Sequence, residues 1–290
     1  MSGWSRVSLV LRDPRVAAGA ALLLLVAGAA LFAPLLAPHD PNDQDLLNTL
    51  LPPFWDNGGT FDYPLGTDAL GRCVLSRLLY GARIALLVGF SASLGAGIVG
   101  GVLALIAGYC GGWTDWIISR LIDVWMSFPA IVLALVLIVG LSPSVANAIF
   151  AIILVAWTRV CRVTRAEILS LIKRDYIAAA RIAGASHLQV VLYDVLPGAL
   201  PILLTLLSLE LGIAVVIEAV LSFTGYAVGP NISTWGGMIA DGLVTMFQQP
   251  TGLIWPMASI VVTVLGANLL GEGLRRQLDP RLLRRTELQS

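Results

Sequence analysis

The sequence predicts an all-α integral membrane protein of six transmembrane helices with both termini in the cytoplasm. Three observations carry this expectation. Apolar residues make up 57% of the chain and charged residues 12%, a balance foreign to water-soluble folds. The apolar residues gather into six runs, each able to cross, alone or with its flanks, about 30 Å of hydrocarbon at 1.5 Å per residue. Arginine is also unevenly shared between alternate connecting segments, which sets the orientation.

Taken in order, residues 1–15 form a cytoplasmic tail carrying Arg6, Arg12 and Arg15, and residues 16–37 form the first span. That run exceeds the roughly 7–15 apolar residues of a cleaved signal core, so the span is expected to be retained. Residues 38–82 are an outer segment that opens acidic and turn-rich, as in APHDPNDQD and FWDNGGTFDYPLGTD. Thr67 or Asp68 can then cap an amphipathic helix in which Leu70, Val74, Leu75, Leu78 and Leu79 recur at helical spacing, lying at the outer surface. Residues 83–275 form a five-helix core, with spans near 84–109, 116–139, 145–160, 199–223 and 253–270. The fourth is short, and residues 141–144 with Cys161 can lengthen it. Residues 276–290 are a cytoplasmic tail. Of the 18 basic residues only Arg72, Arg77 and Arg83 fall in outer segments, which places both termini inside. Gly97 and Gly101 in span two form a GxxxG pair, the signature of close helix packing.

The largest cytoplasmic loop, 162–197, is built of helix, corner and helix. A helix over 165–183 stops at Gly184, which tolerates a left-handed backbone. Ser186 with Gln189 matches a capping box that starts a second helix running to Leu196, before Pro197 and Pro201. Ala178, Ala179, Ala180, Ala183, Gly184 and Ala185 let another surface approach closely, with Arg174, Asp175 and Arg181 as polar edges. Such an element suits a helix-in-groove contact. A helix resting on lipid headgroups is the alternative.

DYIAAARIAGAS followed by VLPGALP resembles the EAA loop of ABC importer permeases, the helix pair that docks in a groove of the ATP-hydrolysing subunit. YPLGTDALGRCVLSRLLYGARIALLVG, EAVLSFTGYAVGP with STWGGMI, and GEGLRRQLDPRL extend the resemblance, over roughly 33–283, to the C-type subunit of dipeptide and oligopeptide permeases. It implies a type I importer permease fold in a bacterial-type cytoplasmic membrane. It also implies ATPase docking through Tyr176, Ala178, Ala179, Ala180, Arg181, Gly184, Ala185, Ser186, Leu196 and Pro197. The implied partners are a homologous B-type permease, two ATPase subunits that carry ATP and Mg, and a periplasmic or lipid-anchored solute-binding protein. The implied substrate is a di- or oligopeptide, with nickel, metallophore, opine and glutathione-like solutes open to the same machine. The chain departs from the pattern at Ala178 (usually acidic), Asp194 (usually His), Gly198 (usually Asn), Cys73 (usually Asp) and the GPNIST loop.

Glu210, Glu218 and Ser222 in span five are the pathway candidates, and Glu218 matches the acidic residue of the EAxLSF segment. The two carboxylates lie about 80° apart around the helix and roughly 12 Å apart along it, so they can border one face. Intramembrane carboxylates usually face a cavity or a bundle interior, and an interhelical bond or a partner in the sister subunit is the alternative role. Arg120 and Asp123 are expected to pair structurally.

Other chemistries are set against. Lys173 is the only lysine and follows Ile172, so no GxxxxGK[ST] phosphate loop exists and no cofactor is expected in this chain. Acidic and basic residues balance at 18 each, which gives nucleic acid nothing to bind. Cys73, Cys110 and Cys161, with His39 and His187, are too scattered for a metal or disulfide framework. No nucleophile and base converge as an enzyme requires. A stand-alone secondary transporter would show paired interrupted helices and repeat symmetry, which are not evident.

Overall fold

The computed structural model describes residues 13–229 and 231–278; Arg6, Arg12, Arg281, Arg284, Arg285 and Pro230 lie outside them. Asp13 caps the first helix, α1 (Pro14–Leu31), by accepting from the Arg15 N–H at 2.9 Å, and Pro14 stands in the first turn where its missing N–H costs nothing. A short α2 (Ala33–Leu36) completes the expected run. Residues 37–73 hold no helix, and then α3 (Val74–Cys110) runs for 37 residues. The amphipathic surface helix expected before span two is therefore corrected. Its apolar positions from Val74 onward form the first turns of span two itself, and neither Thr67 nor Asp68 caps it. Thr67 instead bonds the Leu51 N–H at 2.9 Å and the Asn48 carbonyl, while Asp68 is taken by arginines.

The expected third span, 116–139, is broken. α4 (Gly112–Met126) and α5 (Ala130–Gly140) meet at 88°. Pro129 heads α5, and a residue before proline is steered out of the helical region, so α4 ends at Ser127. α6 (Val145–Leu171) starts on Ser144, whose side chain accepts from the Asn147 N–H, and outlasts the expected span by three turns. Arg162 and Arg165, which the expected bounds put in the cytoplasmic loop, thus continue the same helix as Arg159. Among the described residues, five helices are long and apolar enough to cross a membrane, and the bent pair α4 and α5 makes a sixth crossing if counted as one span.

The helix expected over 165–183 is interrupted at 172–174. On a straight helix Leu171 and Ile177 would point about 120° apart. The break turns α7 (Asp175–Ile182) so that both enter one buried cluster with Ile168, Val190 and Val195. After the corner, α8 (His187–Val190) passes through a π-helical turn (Val191–Val195) into α9 (Leu196–Phe223), without the stop expected at Pro197. The Leu196 N–H bonds the Val191 carbonyl, five residues back. This wider turn moves aside the carbonyl that the Pro197 ring would strike. α10 (Trp235–Val244) follows, capped by Thr234, and α11 (Thr251–Leu278) closes the described chain.

Glycines on α3 set the packing of the core. A Cβ at Gly100 would fall 2.6 Å from the Trp157 carbonyl of α6. Gly97 and Gly101 face Leu207 and Leu203 of α9, the close packing expected of their GxxxG spacing. α1 lies against α11, where a Cβ on Gly19 would meet the Leu270 N atom at 2.5 Å.

Candidate functional site

The corner between α7 and α8 is closed by backbone bonds on both sides. The Ala185 N–H reaches the Ala180 carbonyl and the Gly184 N–H reaches the Arg181 carbonyl, each at 3.1 Å, which is a Schellman cap. Gly184 sits at φ +87°, a left-handed conformation that glycine adopts without strain. Ser186 and Gln189 form the expected capping box: the Gln189 side chain accepts from the Ser186 N–H at 2.8 Å, and the Ser186 hydroxyl accepts from the Gln189 N–H at 3.3 Å. Ile177, Val190 and Val195 are fully buried and anchor the two helices from below.

Above that anchor the surface is open. Ala180, Ala183, Gly184, Ala185, Gln189, Tyr193 and Asp194 line one recess. Tyr193 is 76% exposed, and Ile182 at 88% and Leu188 at 67% stand next in sequence to lining residues, giving the corner an exposed apolar rim. Tyr176, Ala178, Ala179, Arg181 and Ser186 are exposed on the same two-helix element. Pro197 is also exposed, whereas Leu196 is half-buried at the start of α9. The sequence reading passed over Ile182, Leu188 and Tyr193 because a large apolar residue in an amphipathic helix is ordinarily core, and only the fold shows these turned outward.

Tyr109 in the last turn of α3 reaches both arms of the corner. Its hydroxyl lies 2.9 Å from His187 Nδ1 on α8, and the Arg181 guanidinium of α7 stands 5.6 Å from its ring centre. Sequence spacing gave no hint of this residue, which lies far upstream of the loop.

The intramembrane acids separate into different environments. Arg159 Nε and Nη2 donate to the two Glu210 oxygens at 2.9 and 2.8 Å, so the interhelical role is the observed one, with the partner in the same chain. Glu218 is fully buried; the Ser222 hydroxyl donates to its Oε1 at 2.5 Å and its Oε2 has no partner among the described residues. Arg120 and Asp123 pair at 3.2 Å as expected, and Arg162 joins Asp123 at 2.6 Å.

At the opposite end of the bundle, Asp68 and Asp241 share Arg72 and Arg77. Arg72 contacts Asp68 and Asp241 at 2.7 Å each, and Arg77 contacts Asp241 at 2.9 Å and also Asp68. These arginines are largely buried, so each needs a counter-charge, and that need outweighs the capping role expected of Asp68. The cluster ties the 38–73 segment to α10, and the Trp235 indole of α10 donates to the Leu78 carbonyl of α3 at 3.0 Å. Within that segment the Asn48 amide and the Leu47 N–H hold Asp45 below its ordinary pKa, while burial raises that of Tyr63. Among the described residues no group of His, Cys, Asp and Glu is placed to hold a metal ion.

Comparison with known proteins matches residues 100–284 to the binding-protein-dependent transport system inner membrane component family. Residues 9–53 match the N-terminal transmembrane domain of oligopeptide transport permease C. The di/tripeptide transport system permease protein DppC of Pseudomonas aeruginosa is 38% identical over 91% of this chain and 87% of its own length. The dipeptide permease DppC of Escherichia coli is 40% identical over 93% and 90%. The glutathione transport system permease protein GsiD of Pectobacterium atrosepticum is 36% identical over 92% and 87%. Among solved structures, the MetNI methionine ABC transporter matches 70% of this chain and 96% of its own with a TM-score of 0.59 at 20% identity, a likeness of fold. The chain belongs to the family of binding-protein-dependent inner-membrane permeases of bacterial ABC importers, as a C-type, non-catalytic subunit that works with an ATPase, a binding protein and a paired permease.

Proposed function

We propose that this chain forms half of the translocation pathway of an importer for di- or oligopeptides, and that the corner from Tyr176 to Ser186, with Leu196 and Pro197, docks on an ATPase subunit. The observation that carries the docking assignment is the exposed rim of Ile182, Leu188 and Tyr193 around a corner held rigid from below. Such a patch at the end of a membrane protein is costly to leave in water and marks a protein contact. The partners in this reading are a homologous B-type permease, two ATPase subunits carrying ATP and Mg, and a periplasmic or lipid-anchored receptor. ATP-driven closure would shift the docked corner and, through the clustered side chains beneath it, α3, α6 and α9 as rigid bodies.

Peptides are favoured as substrate because the relatives are mostly named as dipeptide permeases. The glutathione permease among them supports a second reading, a glutathione-like solute carried by the same machine. A mild-detergent pull-down of the tagged chain from its native membranes, with mass spectrometry of stoichiometric partners, tests the assembly. Recovery of a second permease and Walker-motif ATPases is expected. Recovery of the chain alone, where a known ABC complex survives the same conditions, would defeat it.

A further inference from the structure

Arg159 and Glu210 stand close to the midpoints of α6 and α9, and their ion pair ties the two helices together. Its geometry is side-on: Nε and Nη2 of the guanidinium each meet one carboxylate oxygen. A guanidinium has five N–H donors, so the edge formed by Nη1 and the second Nη2 hydrogen remains free to hold another carboxylate in bidentate fashion.

That edge meets no hydrogen-bond partner among the described residues. α5 packs on α6 and α9 with Ile138 and Ile152 in one cluster, and α4 breaks away from it at 88°. The break lies at the level of Leu154, whose carbonyl accepts the Trp125 indole N–H at 2.5 Å. Arg159 lies more than a turn of α6 beyond Leu154, and its side chain keeps 34% of its surface open. The carboxylates of α4 are engaged elsewhere, Asp123 by Arg162 and Asp115 by Arg165. Glu210, by contrast, is only 4% exposed and has both oxygens bonded, so it presents nothing to a solute. A guanidinium on a membrane-spanning helix is costly to turn toward lipid and usually faces a polar cavity or a partner.

We propose that Arg159 is a carboxylate-binding position in the translocation pathway, held in place by Glu210, and that it takes the terminal carboxylate of a small peptide-like substrate. The proposal rests on the importer reading above. It inverts the role read from the sequence, since the acid positions and the base binds.

Modification of Arg159 by phenylglyoxal, followed by peptide mass spectrometry in the assembled transporter, tests it directly. Arg159 should react, and acetate should slow the reaction where acetamide does not; alanyl-alanine should likewise protect better than its C-terminal amide. An unreactive Arg159, or equal protection by acid and amide, would overturn the proposal. Transport gives the second arm, in proteoliposomes with receptor and ATPase. The double variant Arg159→Gln/Glu210→Gln keeps a hydrogen-bonded pair without leaving a buried charge. It should retain receptor-stimulated ATP hydrolysis yet import about tenfold less dipeptide per ATP, the scale of one lost charge-assisted hydrogen bond, with partial rescue by Arg159→Lys. Unchanged import per ATP would make the pair purely structural. Absence of ATP-driven dipeptide uptake in the wild-type complex would instead defeat the peptide reading, leaving the acetate and acetamide comparison to decide on Arg159.

Discussion

The Tyr109 hydroxyl and His187 Nδ1 lie 2.9 Å apart, fastening the last turn of α3 to the first turn of α8. The same ring carries the Arg181 guanidinium, so one side chain bridges both arms of the Gly184 corner. α3 in turn packs against α6 and α9 through its glycines. On the docking reading proposed above, a movement of the corner would be passed through these contacts to the centre of the bundle.

Tyr109→Phe removes the hydroxyl and keeps the ring over which Arg181 stands. The lost hydrogen bond is worth about 0.5–1.5 kcal/mol, too little to unfold the protein. The expected result is normal recovery of the ATPase with fewer solute molecules imported per ATP, measured in proteoliposomes. A wild-type ratio would mean that the contact transmits nothing.

Gly184→Trp should leave the chain in the membrane and remove the ATPase from the purified complex. A side chain at φ +87° carries about 1–2 kcal/mol of strain, and the indole would occupy the open corner. Gly184→Ala supplies the strain without the bulk and should retain more ATPase. Normal association and uptake in Gly184→Trp would refute the docking assignment.

Gly100→Leu should sharply reduce the folded, monodisperse fraction seen by fluorescence-detected size exclusion. Its Cβ alone would sit 2.6 Å from the Trp157 carbonyl, a backbone atom that cannot turn away, and overpacking of this kind costs about 1–3 kcal/mol or more. Gly101→Ala meets Leu203 at 3.6 Å, an ordinary contact, and should be tolerated. Equal losses from both would contradict the close approach of α3 to α6.

Glu218→Gln keeps the shape of the side chain and an acceptor for the Ser222 hydroxyl, so assembly should be normal. Uptake kinetics should change if the carboxylate serves the pathway. Identical kinetics across several solutes would leave Glu218 as a structural member of the bundle.

Much of this architecture was legible because the signals are local. The first helix, the capping box at Ser186 and Gln189, the Gly184 corner and the Arg120–Asp123 pair each follow from local sequence pattern. What the sequence misplaced depended partly on local adjustments of the backbone and partly on distant partners. The helix stop at Pro197 was absorbed by a π-helical turn. The break between α4 and α5 lay inside a run whose hydropathy alone marks a continuous span. Asp68 matched a cap, yet Arg72, Arg77 and Asp241 claimed it, and Asp241 comes from a segment far along the chain. Glu210 is recognisable as an intramembrane acid, but its partner Arg159 lies 51 residues away on another helix, and local spacing does not pair them. Tyr109, Ile182 and Tyr193 carry no motif and emerge as candidates only from where the fold puts them.

The docking corner is tested most directly by placing the photoreactive residue p-benzoylphenylalanine at position 182, where Ile182 is 88% exposed at the end of α7. The complex would be irradiated in native membranes and its adducts identified by mass spectrometry. A covalent adduct with a Walker-motif ATPase, changing in yield between nucleotide-free and ATP-bound states, is the predicted result. An adduct with lipid alone, while the ATPase still co-purifies with the chain, would place the corner on the membrane surface and contradict its role as the coupling element.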